Sequence, residues 1–222
     1  MRLLYSLLSV LKNNIRAFLI PLLCAYCKKF LSNFDILCCD CRYKIFPIVS
    51  KNIDVTPSFS MTVFAISDYK DPLKKLILAK SWSDTLASYQ MGELMWDYLP
   101  LQELDYDVIV PIPLHWTRYA WRGFNQAHEI AKVLQKKKNV PLCHLLKRVK
   151  RTKFQSTLIS SLRVENLKEA FVLNTQAQDY TNKHILLIDD LMTTGSTLRS
   201  AAKTLLALKP RKITVAVVCR VI

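Results

Sequence analysis

The sequence predicts an α/β protein, a mostly parallel sheet flanked by helices, with a small cysteine-rich module in front of it. Three observations carry this. Short apolar runs alternate with stretches of helical spacing through residues 58–222, the order that builds parallel sheets. Four cysteines fall in a C-x2-C-x10-C-x2-C pattern ahead of that region. Of the 222 residues, 51% are hydrophobic and 10% aromatic, enough for a core and far from the disordered class.

The elements follow in order. In residues 1–21, Leu4, Leu7, Leu8, Leu11, Ile15 and Phe18 fall at helical spacing and predict an amphipathic helix. Lys12, Asn13, Asn14 and Arg16 interrupt its apolar run. No stretch there reaches the ~18–20 apolar residues of a membrane span. Pro21, Leu22, Leu23 and a cysteine follow, where an export signal would carry a small-residue cleavage site. A cytoplasmic location is expected, and with it a reducing environment in which disulfides are rare.

Residues 22–57 are expected to form a zinc ribbon and its connection to the main domain. Cys24, Cys27, Cys38 and Cys41 offer two pairs of thiolates, the donor set of a closed, structural zinc site. Cys39 sits inside the second pair, as a spectator or a substitute ligand. So short a segment has too little core of its own, so the metal supplies its folding free energy. FPIVSKNIDVTPS, 46–58, reads as the connection.

The main domain spans 58–222. SMTVFAISDY (60–69) is a strand by its β-branched and aromatic content. DPLKKLILAKS opens a helix with Asp71 as N-cap and Pro72 at the first position. DTLASYQMGELMWDYL is a second helix, in which Gly92 marks close packing. YDVIVPIP (106–113) is a buried strand and FNQAHEIAKVLQKKK a helix. KEAFVLN enters a short strand, HILLIDD is a strand, STLRSAAKTLLALK a helix and KITVAVVCRVI a final strand. In such sheets ligands sit beyond the carboxyl ends of the strands.

Chemistry gathers at three of those ends. After HILLIDD comes a loop of small hydroxylated residues, Thr193, Thr194, Gly195, Ser196 and Thr197. Amides at a helix N-terminus, with hydroxyls beside them, cradle a phosphate. Asp189 and Asp190 repel phosphate but accept hydrogen bonds from a diol, so a sugar phosphate satisfies both halves. The second segment, 111–127, holds His115, Arg118 and Arg122, a set suited to a pyrophosphate. The third carries Arg151 and Lys153, and residues 132–153 hold nine Lys and Arg with no acid. The whole chain carries Lys+Arg 32 against Asp+Glu 17, a net charge of +15. That balance favours an anionic partner: nucleic acid, a phosphorylated metabolite or a membrane surface.

LLIDDLMTTGST, 186–197, resembles the signature of type I phosphoribosyltransferases, which bind phosphoribosyl pyrophosphate (PRPP). P-x-P-L-H at 111–115 and R-x-x-x-R-G-F-N-Q-A at 118–127 resemble the ComF family more narrowly. So do R-T-x-x-Q-x-x-L at 151–158, R-x-x-N-x-x-x-A-F at 163–171 and the leading four-cysteine ribbon. The resemblance covers nearly the whole chain, from about residue 20 to 220. It departs at AKSWSD (79–84), where Lys80 and Asp84 match but the family's glycine is missing.

The resemblance implies a type I phosphoribosyltransferase-like fold. It implies PRPP with its 5′-phosphate on residues 193–197 and its ribose on the catalytic pair Asp189 and Asp190. Mg²⁺ would accompany the pyrophosphate, held by His115, Arg118, Arg122, Arg151 and Lys153. The reaction implied is pentosyl transfer from PRPP. The family's association is with natural competence, the uptake of single-stranded DNA. Two further readings stand beside the enzyme. One is a PRPP sensor or single-stranded-DNA binder, with Trp116, Tyr119, Trp121 and Phe124 lying among arginines. The other is an adaptor whose ribbon docks a competence helicase. A phosphoribosyltransferase of nucleotide metabolism is the remaining enzymatic reading.

Overall fold

The computed structural model describes residues 23–32, 35–46, 50–79, 85–149, 170–174 and 179–221. The helix expected over 1–21 lies outside them. The chain divides into two compact units, Met1–Ile45 and Phe46–Ile222.

In the first unit, an antiparallel bridge between Leu23 and Phe30 closes a tight turn around Cys24 and Cys27. The Cys24 amide donates to Lys29 O at 2.8 Å, and Lys28 takes a left-handed φ of 65° to complete the turn. The second cysteine pair brackets one helical turn, α1 (Cys39–Arg42), with the Cys41 amide donating to Cys38 O at 3.0 Å. Ala25 N donates to Ile36 O at 2.9 Å and joins the two halves. Among the described residues of this unit, Leu37 and Ile45 are the apolar side chains buried besides Cys24 and Cys41, a small core for residues 23–45.

The second unit is a five-stranded sheet covered on both faces. Its strands are β1 (Lys51–Thr56), β2 (Phe59–Asp68), β3 (Val108–Pro111), β6 (His184–Met192) and β7 (Lys212–Arg220), in the order β1-β2-β7-β6-β3. Only β1 runs antiparallel to its neighbour; β2, β7, β6 and β3 pair in parallel. A separate antiparallel hairpin joins β4 (Leu146–Arg148) to β5 (Phe171–Leu173). The helices are α2 (Leu73–Ala79), α3 (Thr85–Tyr98), α4 (Trp116–Arg122), α5 (Gln126–Lys138) and α6 (Ser196–Leu205).

β6 is central, so its run Ile185–Ile188 is apolar on both faces and wholly buried. Alternation sends Ile185 and Leu187 into one core with Leu198, Ala201, Ala202 and Leu205 of α6 and with Phe171 of the hairpin. Leu186 and Ile188 point the other way, to the face where α3 and α5 pack on each other and on the sheet. Gly92 sits at that helix–helix contact: a Cβ there would lie 2.7 Å from Val133 Cβ.

Residues 51–56, read from sequence as part of the connection, form β1 instead. Only Ile53 and Val55 turn inward, pairing Ile53 with Met61, and those two buried residues suffice to hold an edge strand on the sheet. The segment after Pro113, read as a loop, contains α4. The helix over 71–81 begins at Leu73, one residue later than the Pro72 start expected.

Candidate functional site

The crevice lies where the sheet's connections change face. β6 leads to α6 on one face, and β3 leads through α4 to α5 on the other. Neighbouring strands that send their chains apart leave an opening at their carboxyl ends.

Asp189 and Asp190 stand at this opening. Both are half-buried, and Asp189 Oδ1 accepts the Asp190 amide at 2.9 Å. The loop after them turns tightly into α6 through Gly195, whose φ is +75°. A Cβ at Gly195 would also lie 3.1 Å from Ile53 Cδ1, so glycine is required by the turn and by the approach of β1. Thr194 Oγ1 lies 2.8 Å from Ser196 Oγ and accepts the Ser196 amide at 3.4 Å. Thr193 and Thr194 are exposed, and Ser196 and Thr197 half-buried, around the head of a ten-residue helix. Amides and hydroxyls converging there form a cradle for an anion.

β3 brings the second set of residues alongside. Ile112 N donates to Ile188 O at 2.9 Å, so the chain leaves β3 beside the carboxylate pair. His115 caps α4: its Nδ1 accepts the Thr117 amide at 3.4 Å and lies 2.9 Å from Thr117 Oγ1. His115 is only 6% exposed and shapes the turn that follows β3. Arg118 lies in the first turn of α4. Arg122 ends the helix, and its Nη1 donates to Gln126 Oε1 at 3.2 Å. Asn125 locks the next element in place: Oδ1 accepts the Ala127 amide at 3.2 Å and Nδ2 donates to Ile112 O at 2.9 Å. Arg151 and Lys153 lie outside the described residues, as do Lys80 and Asp84.

Three residues that the sequence reading did not single out border this site. Arg148, at the end of β4, is half-buried with its guanidinium 5.4 Å from the Phe171 ring centroid. Burial and the neighbouring Arg118 lower its pKa, while Asp189 opposes them. Tyr69, at the end of β2, has its pKa raised by burial first and then by Cys219 and Asp190. Gln126 is buried at the head of α5, and its Nε2 has no hydrogen-bond partner among the described residues. Arg148 hides in sequence among nine like charges; only the hairpin register singles it out.

The aromatics of α4 are not core. Trp116, Tyr119 and Trp121 are 70%, 53% and 63% exposed, while Phe124 is buried. His184, by contrast, is a satisfied core histidine. Its Nδ1 meets Asp105 O at 2.7 Å and its Nε2 meets Thr214 Oγ1 at 2.8 Å. Its backbone amide donates to Asp107 Oδ2 at 2.7 Å.

In the first unit the Sγ atoms of Cys24, Cys27, Cys38 and Cys41 all lie within 4.8 Å of one another, with Cys27 and Cys38 at 3.6 Å. Tetrahedral bonds of ~2.3 Å place sulfurs about 3.8 Å apart, so the four fit one ion. Cys39 is exposed and outside the cluster. Burial raises the Cys24 thiol, but the amides about Cys27, Cys38 and Tyr26 bring it down to about 6. Burial and the three other sulfurs push Cys41 up. Four such thiols cannot ionise together without a cation among them. Among the described residues, no helix is long and apolar enough to cross a membrane.

Comparison with known proteins agrees with this arrangement. The model of the phosphoribosyl transferase domain matches residues 119–222, and with the sheet order it identifies the type I phosphoribosyltransferase fold. Competence protein F of Haemophilus influenzae is 37% identical over 110 residues, 49% of this chain and 48% of that protein. Competence protein ComFC of Bacillus subtilis is 40% identical over 99 residues, 45% of this chain and 38% of that protein. The match thus spans about half or less of the length of these two relatives. The DNA utilization protein YhgH of Salmonella typhi is 32% identical over 176 residues, 70% of each chain.

Proposed function

Because the chain belongs to the ComF family of phosphoribosyltransferase-like proteins, we propose that its crevice binds PRPP with Mg²⁺ and that the protein acts in the handling of incoming DNA during competence. One observation carries the ligand. The carboxylate pair at the end of β6 and the hydroxyl-lined head of α6 are consecutive in the chain, and β3, which runs beside β6, leads on to His115 and Arg118. A ribose diol meets Asp189 and Asp190, and its 5′-phosphate meets residues 193–197. Pyrophosphate meets Arg118 and Arg122, with His115 fixing the turn that presents them and Arg151 and Lys153 completing the basic side. Mg²⁺, bound through oxygens of the ligand, offsets its charge.

The chemistry this set supports is departure of pyrophosphate from the sugar. Negative charge grows on the leaving group as the sugar carbon turns cationic, and fixed guanidiniums stabilise that growth. Asp189 and Asp190 hold the ribose while the bond breaks, and their charge favours the cationic sugar.

The four cysteines are proposed to hold a structural zinc ion, since four thiolates leave no open position. The setting in DNA uptake rests on the relatives' names and on the +15 charge. A second reading, a PRPP sensor or a binder of single-stranded DNA, is favoured on its DNA side by the exposed Trp116, Tyr119 and Trp121 of α4, which carries Arg118 and Arg122. Bases stack on such rings regardless of sequence.

Calorimetric titration of the zinc-loaded protein with PRPP and Mg²⁺ tests the ligand. Wild type is expected to bind, and an Asp189→Asn/Asp190→Asn variant to lose at least tenfold in affinity, about 1.4 kcal/mol or more. A well-folded wild type that does not bind sinks the sugar-phosphate reading and leaves a binder of single-stranded DNA that does not respond to PRPP.

A further inference from the structure

We propose that His128 of α5 and His144, two residues ahead of β4, form a two-histidine site for a divalent transition-metal ion, which fastens the base of the β4–β5 hairpin to α5. The inference goes beyond the sugar-phosphate reading and does not depend on it. Two segments bring the rings together. His128 stands in the first turn of α5, which Asn125 ties to the end of β3 through Ile112 O. Residues 141–143 run beside β3: Ile109 N donates to Pro141 O and Cys143 N to Ile109 O, both at 2.9 Å. His144 follows at once, and its carbonyl accepts Asn174 Nδ2 at 3.0 Å from just beyond β5. It therefore sits at the joint between the sheet edge and the hairpin.

The two ring centroids lie 4.8 Å apart, with their planes at 40°. With metal–nitrogen bonds of ~2.0–2.1 Å and a ring radius of ~1.1 Å, each centroid stands ~3.2 Å from the ion, and two rings at ~90–110° about it have centroids ~4.5–5.2 Å apart. The observed spacing falls in that range. Plain ring stacking gives similar distances, so the nitrogens decide. His128 Nδ1 is buried and has no hydrogen-bond partner among the described residues. Buried nitrogens are ordinarily paired with protein, water or an ion. Stacking leaves Nδ1 unused, whereas an ion held by both rings takes it. His144 is exposed, so its ring can turn to admit the ion. Burial first, and then His144, hold the His128 pKa below its ordinary value, with Glu129 opposing and Lys132 assisting, which keeps the ring neutral and able to ligate near pH 7.

The donors select the ion. Imidazole nitrogens suit zinc, nickel and copper, while Mg²⁺ and Ca²⁺ need oxygen. A chain of net charge +15 does not attract a bare cation, so the affinity comes from coordination. α5 packs on β3 and β6, so an ion shared with His144 joins the hairpin's base to the body of the sheet.

The test uses the full chain, dialysed to one zinc per chain, with Ni²⁺ as probe and no PRPP present. Wild type is expected to take up one Ni²⁺ per chain while its zinc stays bound, and a large excess of Mg²⁺ should not compete. His144→Ala and His128→Ala should each weaken that uptake about tenfold or more. The amides of Val149 and Asn174 donate to Ala170 O and Leu145 O at the hairpin's base. With Ni²⁺ at about ten times its Kd, their exchange with solvent should slow about tenfold in wild type and stay unchanged in the variants. Thermal melts check each fold, and if His128→Ala unfolds, the exposed His144 decides by itself. No uptake by wild type, wild-type uptake in a folded His144→Ala, or loss in only one of two folded variants overturns the site. Ni²⁺ bound through both histidines without slowing of Val149 and Asn174 overturns the fastening. None of these results touches the sugar-phosphate reading, which the PRPP titration tests separately.

Discussion

Alanine at Gly92 probes the contact that seats α3 and α5 on the sheet. The new Cβ would stand 2.7 Å from Val133 Cβ, 2.9 Å from Val133 Cγ2 and 3.2 Å from Ile130 O. Carbon atoms in contact settle at about 3.5–4.0 Å, so the helices must part by about 1 Å. Neither a Cβ nor a helix carbonyl can swing aside as the end of a long side chain would. Alanine gains about 1 kcal/mol in helix propensity over glycine. Overpacking costs about 1–3 kcal/mol, and with rigid neighbours the upper end applies. The net expectation is a loss of about 1–2 kcal/mol, or a Tm lower by about 2–8 °C for a chain of this size. Urea and thermal melts of Gly92→Ala, Val133→Ala and the double variant measure it. Val133→Ala removes the Cγ2 conflict and keeps the Cβ one, so the double variant should recover part of the loss as a non-additive term of about 1 kcal/mol. A Gly92→Ala protein as stable as wild type, with additive effects, would refute the packing argument.

Two further expectations concern stability. Chelation, or Cys38→Ser, should release about one zinc per chain and unfold the cysteine unit, read by metal content and by proteolysis within residues 23–45; a chain that keeps its protection without metal contradicts the zinc assignment. Burial holds the His184 pKa below its ordinary value. The unfolded chain therefore takes up the proton first, so the stability this neutral ring contributes is full above about pH 6.5 and is lost as pH falls. His184→Gln should cost about 2 kcal/mol at pH 7.5, for two lost hydrogen bonds, and the gap to wild type should narrow toward pH 5 in urea melts.

Much of the fold was legible because burial writes itself into the sequence. β6 has both faces covered, and so Ile185–Ile188 is an unbroken apolar run. Gly92 and Gly195 stood out in a chain of only three glycines: a Cβ at Gly92 would collide with Val133, and Gly195 takes a φ of +75°. What stayed hidden lacked that imprint. β1 buries only Ile53 and Val55, too little for a periodicity. α4 buries no residue at all, so its aromatics gave no apolar stripe. His115 was read as a ligand group, and its capping of α4 could not be read without knowing that a helix starts there. Arg148 was unreadable because its meaning comes from pairing with Phe171, more than twenty positions away, and not from its neighbours in sequence.

The two sides of the crevice differ in how firmly they are built. The carboxylates hang from β6, which β7 flanks along its length and β3 over Ile185–Ile188, so exchange of the amides of Ile185–Ile188 with solvent should require opening most of the unit. Arg148 hangs from a hairpin of three residues on each strand. That side can loosen at far lower cost. One wall is therefore rigid and the other yielding. Motion on the hairpin side would open the crevice, while the geometry at the carboxylate pair stays unchanged.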